Sequence, residues 1–151
     1  MNQGEQDETS SNESKTMNPY RTYTNATVNT ASAPRIMMTL FQSALRHMRT
    51  ARAAYAMGDY RTGGDATERA AAIVLGLQAT LKREAAPSLC EQLDAVYGFV
   101  VGRLTMAIGA ASAQHVEEAE RVFLPIVEAF DEAVACEATP PPLAMAAGAC
   151  R

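Results

Sequence analysis

Apolar residues recur in this chain at a spacing that only a helix can gather onto one side. Between residues 37 and 55, Met37, Phe41, Ala44, Met48, Ala51 and Tyr55 follow a 4-3-4-3-4 spacing. On a helix of 3.6 residues per turn that spacing draws one narrow apolar seam. A single helix cannot bury such a seam, so other helices must cover it. Three more segments offer partners. Ala66, Ala70, Ile73, Leu77 and Leu81 form a second seam, with Val74 beside it. Leu89, Leu93, Val96, Val100 and Leu104 form a third, flanked by a stripe of Tyr97, Val101 and Ile108. Val116, Ala119, Phe123, Ile126, Phe130 and Ala133 form the fourth. β-branched runs of period two are absent, and the 29 alanines favour helix and close helix approach. The fold class is all-α.

Local signals place the ends. Ser32 suits an N-cap and Pro34 a first turn; Gly58 stops the first helix and Asp59 opens the turn. The second helix is expected from Tyr60 or Asp65 to Arg83, because Gly63-Gly64 weakens its start and Asp65 with Glu68 resembles a capping box. The third is expected from Pro87-Ser88 to Ala110, and the fourth from Ser112 to Cys136. Pro125 should kink the fourth helix, at about 3 kcal/mol in an unadapted site. Short connections force neighbours antiparallel, which gives an up-down-up-down four-helix bundle over residues 34–137. Residues 1–17 are almost devoid of apolar side chains and read as a disordered tail. Residues 18–33 read as an extended arm. Residues 138–151, with Pro140, Pro141 and Pro142, read as a disordered Pro-rich tail.

Composition then narrows function. The formal charge is −4 with no basic cluster, which argues against a nucleic-acid partner. No apolar run of membrane length and no signal pattern is evident, so a cytoplasmic protein without membrane insertion is expected. The three cysteines (Cys90, Cys136, Cys150) lack metal-ligand spacing and read as free thiols. Bundle metal centres use Glu-x-x-His, yet Ala44 precedes His47 and Ser112 precedes His115 at that offset. Cys90 has no evident base, and Gly63-Gly64 lacks the Lys-Ser/Thr of a phosphate loop. No cofactor and no enzyme activity is expected. Glu117, Glu118, Glu120, Glu128, Asp131 and Glu132 read as a solvated acidic face.

The third segment is more apolar than one neighbouring helix requires. It is either the most buried helix or part of a groove for a partner. If a groove, its wall is expected at Val74 and Leu77 on the second helix. Across it would stand Leu93, Tyr97, Val101 and Leu104 on the third, receiving an amphipathic helix. A general helical adaptor for another client and a self-associating homodimer are the alternatives.

Several motifs carry a family resemblance. Asn18-Pro19-Tyr20-x-x-Tyr23, Val28-Asn-Thr30-Ala31-Ser32 and Leu40-Phe41-x-x-Ala44-Leu45 come first, followed by Gly58-Asp59 at the first turn. Leu93-x-x-Val96-Tyr97, Arg103-Leu104 and Glu128-Ala129-Phe130 follow in order. Together they resemble the flagellin-specific export chaperones of bacterial flagellar secretion, over residues 18 to about 135. The chain departs from that pattern at Ala33, Gln42, Pro125 and Phe130. The resemblance implies a cytoplasmic antiparallel bundle that binds the C-terminal disordered region of flagellin. It would block premature polymerisation and help deliver flagellin to the type III export gate, without ATP and without a reaction. It also implies that the arm, through Tyr20, Tyr23 and Val28, covers the flagellin site in the free protein and touches the export gate.

Overall fold

The computed structural model describes residues 33–138. Among them are four helices: α1 (Ala33–Ala56), α2 (Tyr60–Ala79), α3 (Pro87–Ala110) and α4 (Ala113–Ala138). The compact unit that holds the core starts at Met37. The expected tail 1–17, residues 18–32 of the expected arm 18–33 and residues 139–151 of the expected tail 138–151 lie outside the described residues, while Ala33 and Ala138 belong to helices.

The turns follow from local chemistry. Gly58 takes a positive φ of 79°, a conformation that a Cβ disfavours, and this lets Asp59 N–H reach back to the Ala54 carbonyl at 2.9 Å. Asp59 then caps α2 by accepting from the Thr62 N–H at 3.1 Å. The hydrogen bonds from Thr62 hold the Asp59 carboxyl below the ordinary carboxylate value. With that cap in place α2 starts at Tyr60, ahead of the Asp65 capping box. It ends at Ala79, four residues before the expected Arg83, because turns occupy the connection to α3. Pro87 opens α3. At its far end Ala111 takes the left-handed conformation, φ 47°, and the Ser112 N–H bonds the Ala107 carbonyl at 3.2 Å. Pro125 lies inside α4, which runs on to Ala138.

The side-chain pairs fix the topology. On α1 and α4, Arg49 meets Glu120 while Phe41 meets Phe130, so these helices run antiparallel. On α3 and α4, Arg103 meets Glu118 while Tyr97 meets Phe123, again antiparallel. α3 packs along both α2 and α4. The bundle centre is a chain of rings. Phe41 lies 5.1 Å from Phe130 and 5.7 Å from Phe123, and Phe123 lies 6.4 Å from Tyr97. Tilted pairs at such distances add about 0.5–1.5 kcal/mol each beyond the area they bury. Fully buried Ala44, Ala51, Ala70, Ala107 and Ala119 let the backbones approach around these rings. Burial pushes the Tyr97 phenol above its ordinary pKa.

Three expectations are corrected. Val74, placed beside the second seam, is fully buried, while Ile73 is only partly so. Leu89, placed in the third seam, is 55% exposed. Glu120, placed on the acidic face, is 8% exposed. It accepts a hydrogen bond from Arg49 Nε at 2.9 Å and lies 2.9 Å from Arg52 Nη1, so it fastens α4 to α1. The three charged residues on the outer side of that clamp are thus an inter-helix contact.

Two measurements check this packing. A Cβ on Gly63 would stand 2.5 Å from Tyr55 Cδ1, whereas one on Gly64 would meet only the Tyr55 hydroxyl at 4.0 Å. Gly63→Ala should therefore destabilise by about 1–2 kcal/mol through overpacking. Gly64→Ala should be neutral or stabilise by up to about 1 kcal/mol through helix propensity; urea midpoints compare the two. Glu120→Ala should cost about 1–2 kcal/mol in the same assay, since Arg49 and Arg52 can turn to water once it is gone.

Candidate binding face

Expected groove residues fall into three groups. Val74, Leu77, Tyr97 and Leu104 are at most 2% exposed and belong to the monomer's own core. They sit in one buried cluster with side chains of α1 and α4, so they offer no outward surface in this conformation. Leu93 and Val101 are half-buried against that core. Tyr20, Tyr23 and Val28 lie outside the described residues.

The outward side of α3 nevertheless stays apolar. Phe99 is 43% exposed and Met106 50%. Leu75 on the adjacent α2 is 49% exposed. α3 is also long and apolar enough, by length and composition alone, to cross a membrane. That corrects the expectation that no run of membrane length exists. Its inner side explains part of this, since Tyr97, Val100, Leu104 and Ala107 fill the bundle core. The remainder is the exposed side.

Between the exposed large residues run glycines. Gly98, Gly102 and Gly109 on α3, and Gly76 on α2, would each carry a Cβ with nothing within 4 Å. None has a positive φ. Each costs about 1 kcal/mol of helix stability relative to Ala. Gly63 shows the contrary case, where a ring already occupies the space. On α3 neither backbone conformation nor internal packing requires glycine. The result is a smooth lane along which another backbone can come close.

One cation borders the lane. The Arg103 guanidinium lies 5.1 Å from the Phe99 ring centroid, a cation–π distance. Its Nε is 3.3 Å from Glu118 Oε2. His115 Nδ1 lies 3.6 Å from that same oxygen.

The other chemistry-bearing residues do not assemble. The Cys90 thiol is buried and donates to the Lys82 carbonyl at 3.3 Å, a packing role at the mouth of the α2–α3 connection. Among the described residues no group of three His, Cys, Asp or Glu side chains could hold a metal ion. Spacing along the chain does not single out Phe99, Leu75 or the glycines. Phe99 and Met106 fall on neither apolar stripe of α3, and glycines carry no hydropathy signal. Their four-residue repeat at Gly98 and Gly102 was the available clue.

Among the described residues, fold and face define a small helical scaffold in which no other helix covers the outer side of α3 from Gly98 to Gly109. Residues 16–137 match the family described as flagellar protein FliS. The chain belongs to this family, the flagellin-specific export chaperones. No curated protein matches it.

Proposed function

We propose that this protein binds the C-terminal disordered region of flagellin in the cytoplasm, keeps it from polymerising early, and presents it to the flagellar type III export gate. The unpartnered outer side of α3 carries this reading. It moves the docking surface from the expected inner groove to Phe99, Met106 and the glycine lane, with Val101 and Leu75 on its α2 side. A client helix laid there gains roughly 1.5–3 kcal/mol for each Leu- or Phe-sized group it fully buries. A disordered client must offset the entropy of ordering, so it needs a run of such contacts, and the lane supplies one along the length of α3. Nothing in this action requires a reaction, a nucleotide or a metal.

The segment before α1 fits the reading as a competitor. Tyr20, Tyr23 and Val28 are tethered to the bundle, and a tethered group acts at an effective concentration on the order of millimolar. Weak contacts then suffice to shield the face until flagellin arrives.

Gly102→Ala separates binding from stability. The added methyl meets open space and should raise stability by up to about 1 kcal/mol. It should also weaken flagellin binding several-fold in calorimetry, because the client backbone can no longer approach. Phe99→Asp should weaken binding at least tenfold in a variant that melts like the parent. Unchanged affinity in both would remove this face from the account. Deleting residues 1–28 should tighten flagellin binding; weaker binding instead would make that segment part of the client site.

A further inference from the structure

We infer that Arg103 is a specificity-determining residue on this face, and that it selects a client helix carrying a carboxylate among its apolar anchors. The inference rests on the docking role proposed for α3.

From Ala95 to Ala110 the helix bears a single charged residue, Arg103. A lone cation beside an otherwise uncharged strip of Gly98, Phe99, Gly102 and Met106 gives that strip one point of charge complementarity. The state of the guanidinium is the second observation. Its pairing with Glu118 Oε2, at 3.3 Å, lacks hydrogen-bond geometry, and that buried oxygen has no hydrogen-bond partner. The one hydrogen bond that Arg103 makes among the described residues runs from Nη1 to the Met106 sulfur at 3.8 Å. A thioether is a weak acceptor. Among the described residues no N–H of this fork donates to an oxygen with hydrogen-bond geometry. Arg103 is also half-buried, with its side chain 32% exposed, and its stacking on Phe99 restrains the plane. A pre-set planar fork with unused donors is suited to a carboxylate, which it can hold by two parallel N–H···O bonds.

The geometry sets the client's pattern. Phe99 precedes Arg103 by one helical turn and Met106 follows by nearly one, so the carboxylate sits between apolar groups one turn away on either side. A basic residue there would face the guanidinium and be rejected.

The test is titration calorimetry of the full chain with a synthetic C-terminal fragment of flagellin, at low and high salt. Four chains are compared: the parent, Arg103→Gln/Glu118→Gln, Arg103→Lys and Phe99→Asp. The double variant removes both charges and so leaves no stranded carboxylate. Expected is about tenfold weaker binding for it at low salt, with the parent's salt dependence lost, and partial recovery in Arg103→Lys. Parent-like affinity in the double variant, with Phe99→Asp defective, overturns the role of Arg103 and leaves the docking face standing. A salt-independent loss also overturns it, since Arg103 would then act only by packing. Parent-like affinity in every variant overturns the docking face as well. Matching thermal melts among the variants tie each outcome to binding.

Discussion

The Phe41 ring sets the conditions under which the rest of this bundle exists. It reaches from α1 between Phe123 and Phe130 of α4, and Phe123 in turn meets Tyr97 of α3. Three helices are thereby tied through one line of rings, with buried alanines filling the spaces where backbones close. Rings are stiff and large, so a few of them fix helix spacing and register together. The outer Glu120 clamp with Arg49 and Arg52 holds the same α1–α4 seam from the solvent side. With the interior settled by these contacts, Phe99, Met106 and the glycines of α3 stay out of the core.

That separation lets α3 serve two purposes. Tyr97, Val100, Leu104 and Ala107 face inward and are sealed. Gly98, Phe99, Gly102 and Met106 face outward, and among the described residues no other helix covers them. A helix apolar on all sides is ordinarily buried on all sides. Among the described residues one side of α3 is left open, and on the docking role proposed above that side is where the client rests.

Much of the architecture could be read from spacing alone. From Phe41 on, the seam of α1 reappears as core, as do Val116, Ala119 and Phe123 of α4, whereas Ile126 and Phe130 are only partly buried and Ala133 is exposed; Gly58 and Pro87 mark turns as their backbone chemistry requires. Motif order led to the family. The docking surface was harder. Val74, Leu77, Tyr97 and Leu104 looked surplus because hydropathy along one helix cannot say how much area its neighbours cover. Phe41 and Phe123 are large enough to close over that region. Glu120 misled for a related reason: its neighbours along α4 are exposed acids, and its partners lie on α1, seventy residues away in the chain. Phe99 and Arg103 gave no periodic signal because their stacking is local to one turn.

The glycines have a mechanical consequence. Three of them lie along the outer side of α3, while Val100 and Leu104 are wedged into the interior opposite. Backbone torsions are least restrained at glycine. The helix is therefore compliant on its solvent side and stiff on its core side, like a spring leaf clamped along one edge. On the docking role proposed for α3, a guest of imperfect shape would be met by slight bending of α3 without loosening the rings beneath it.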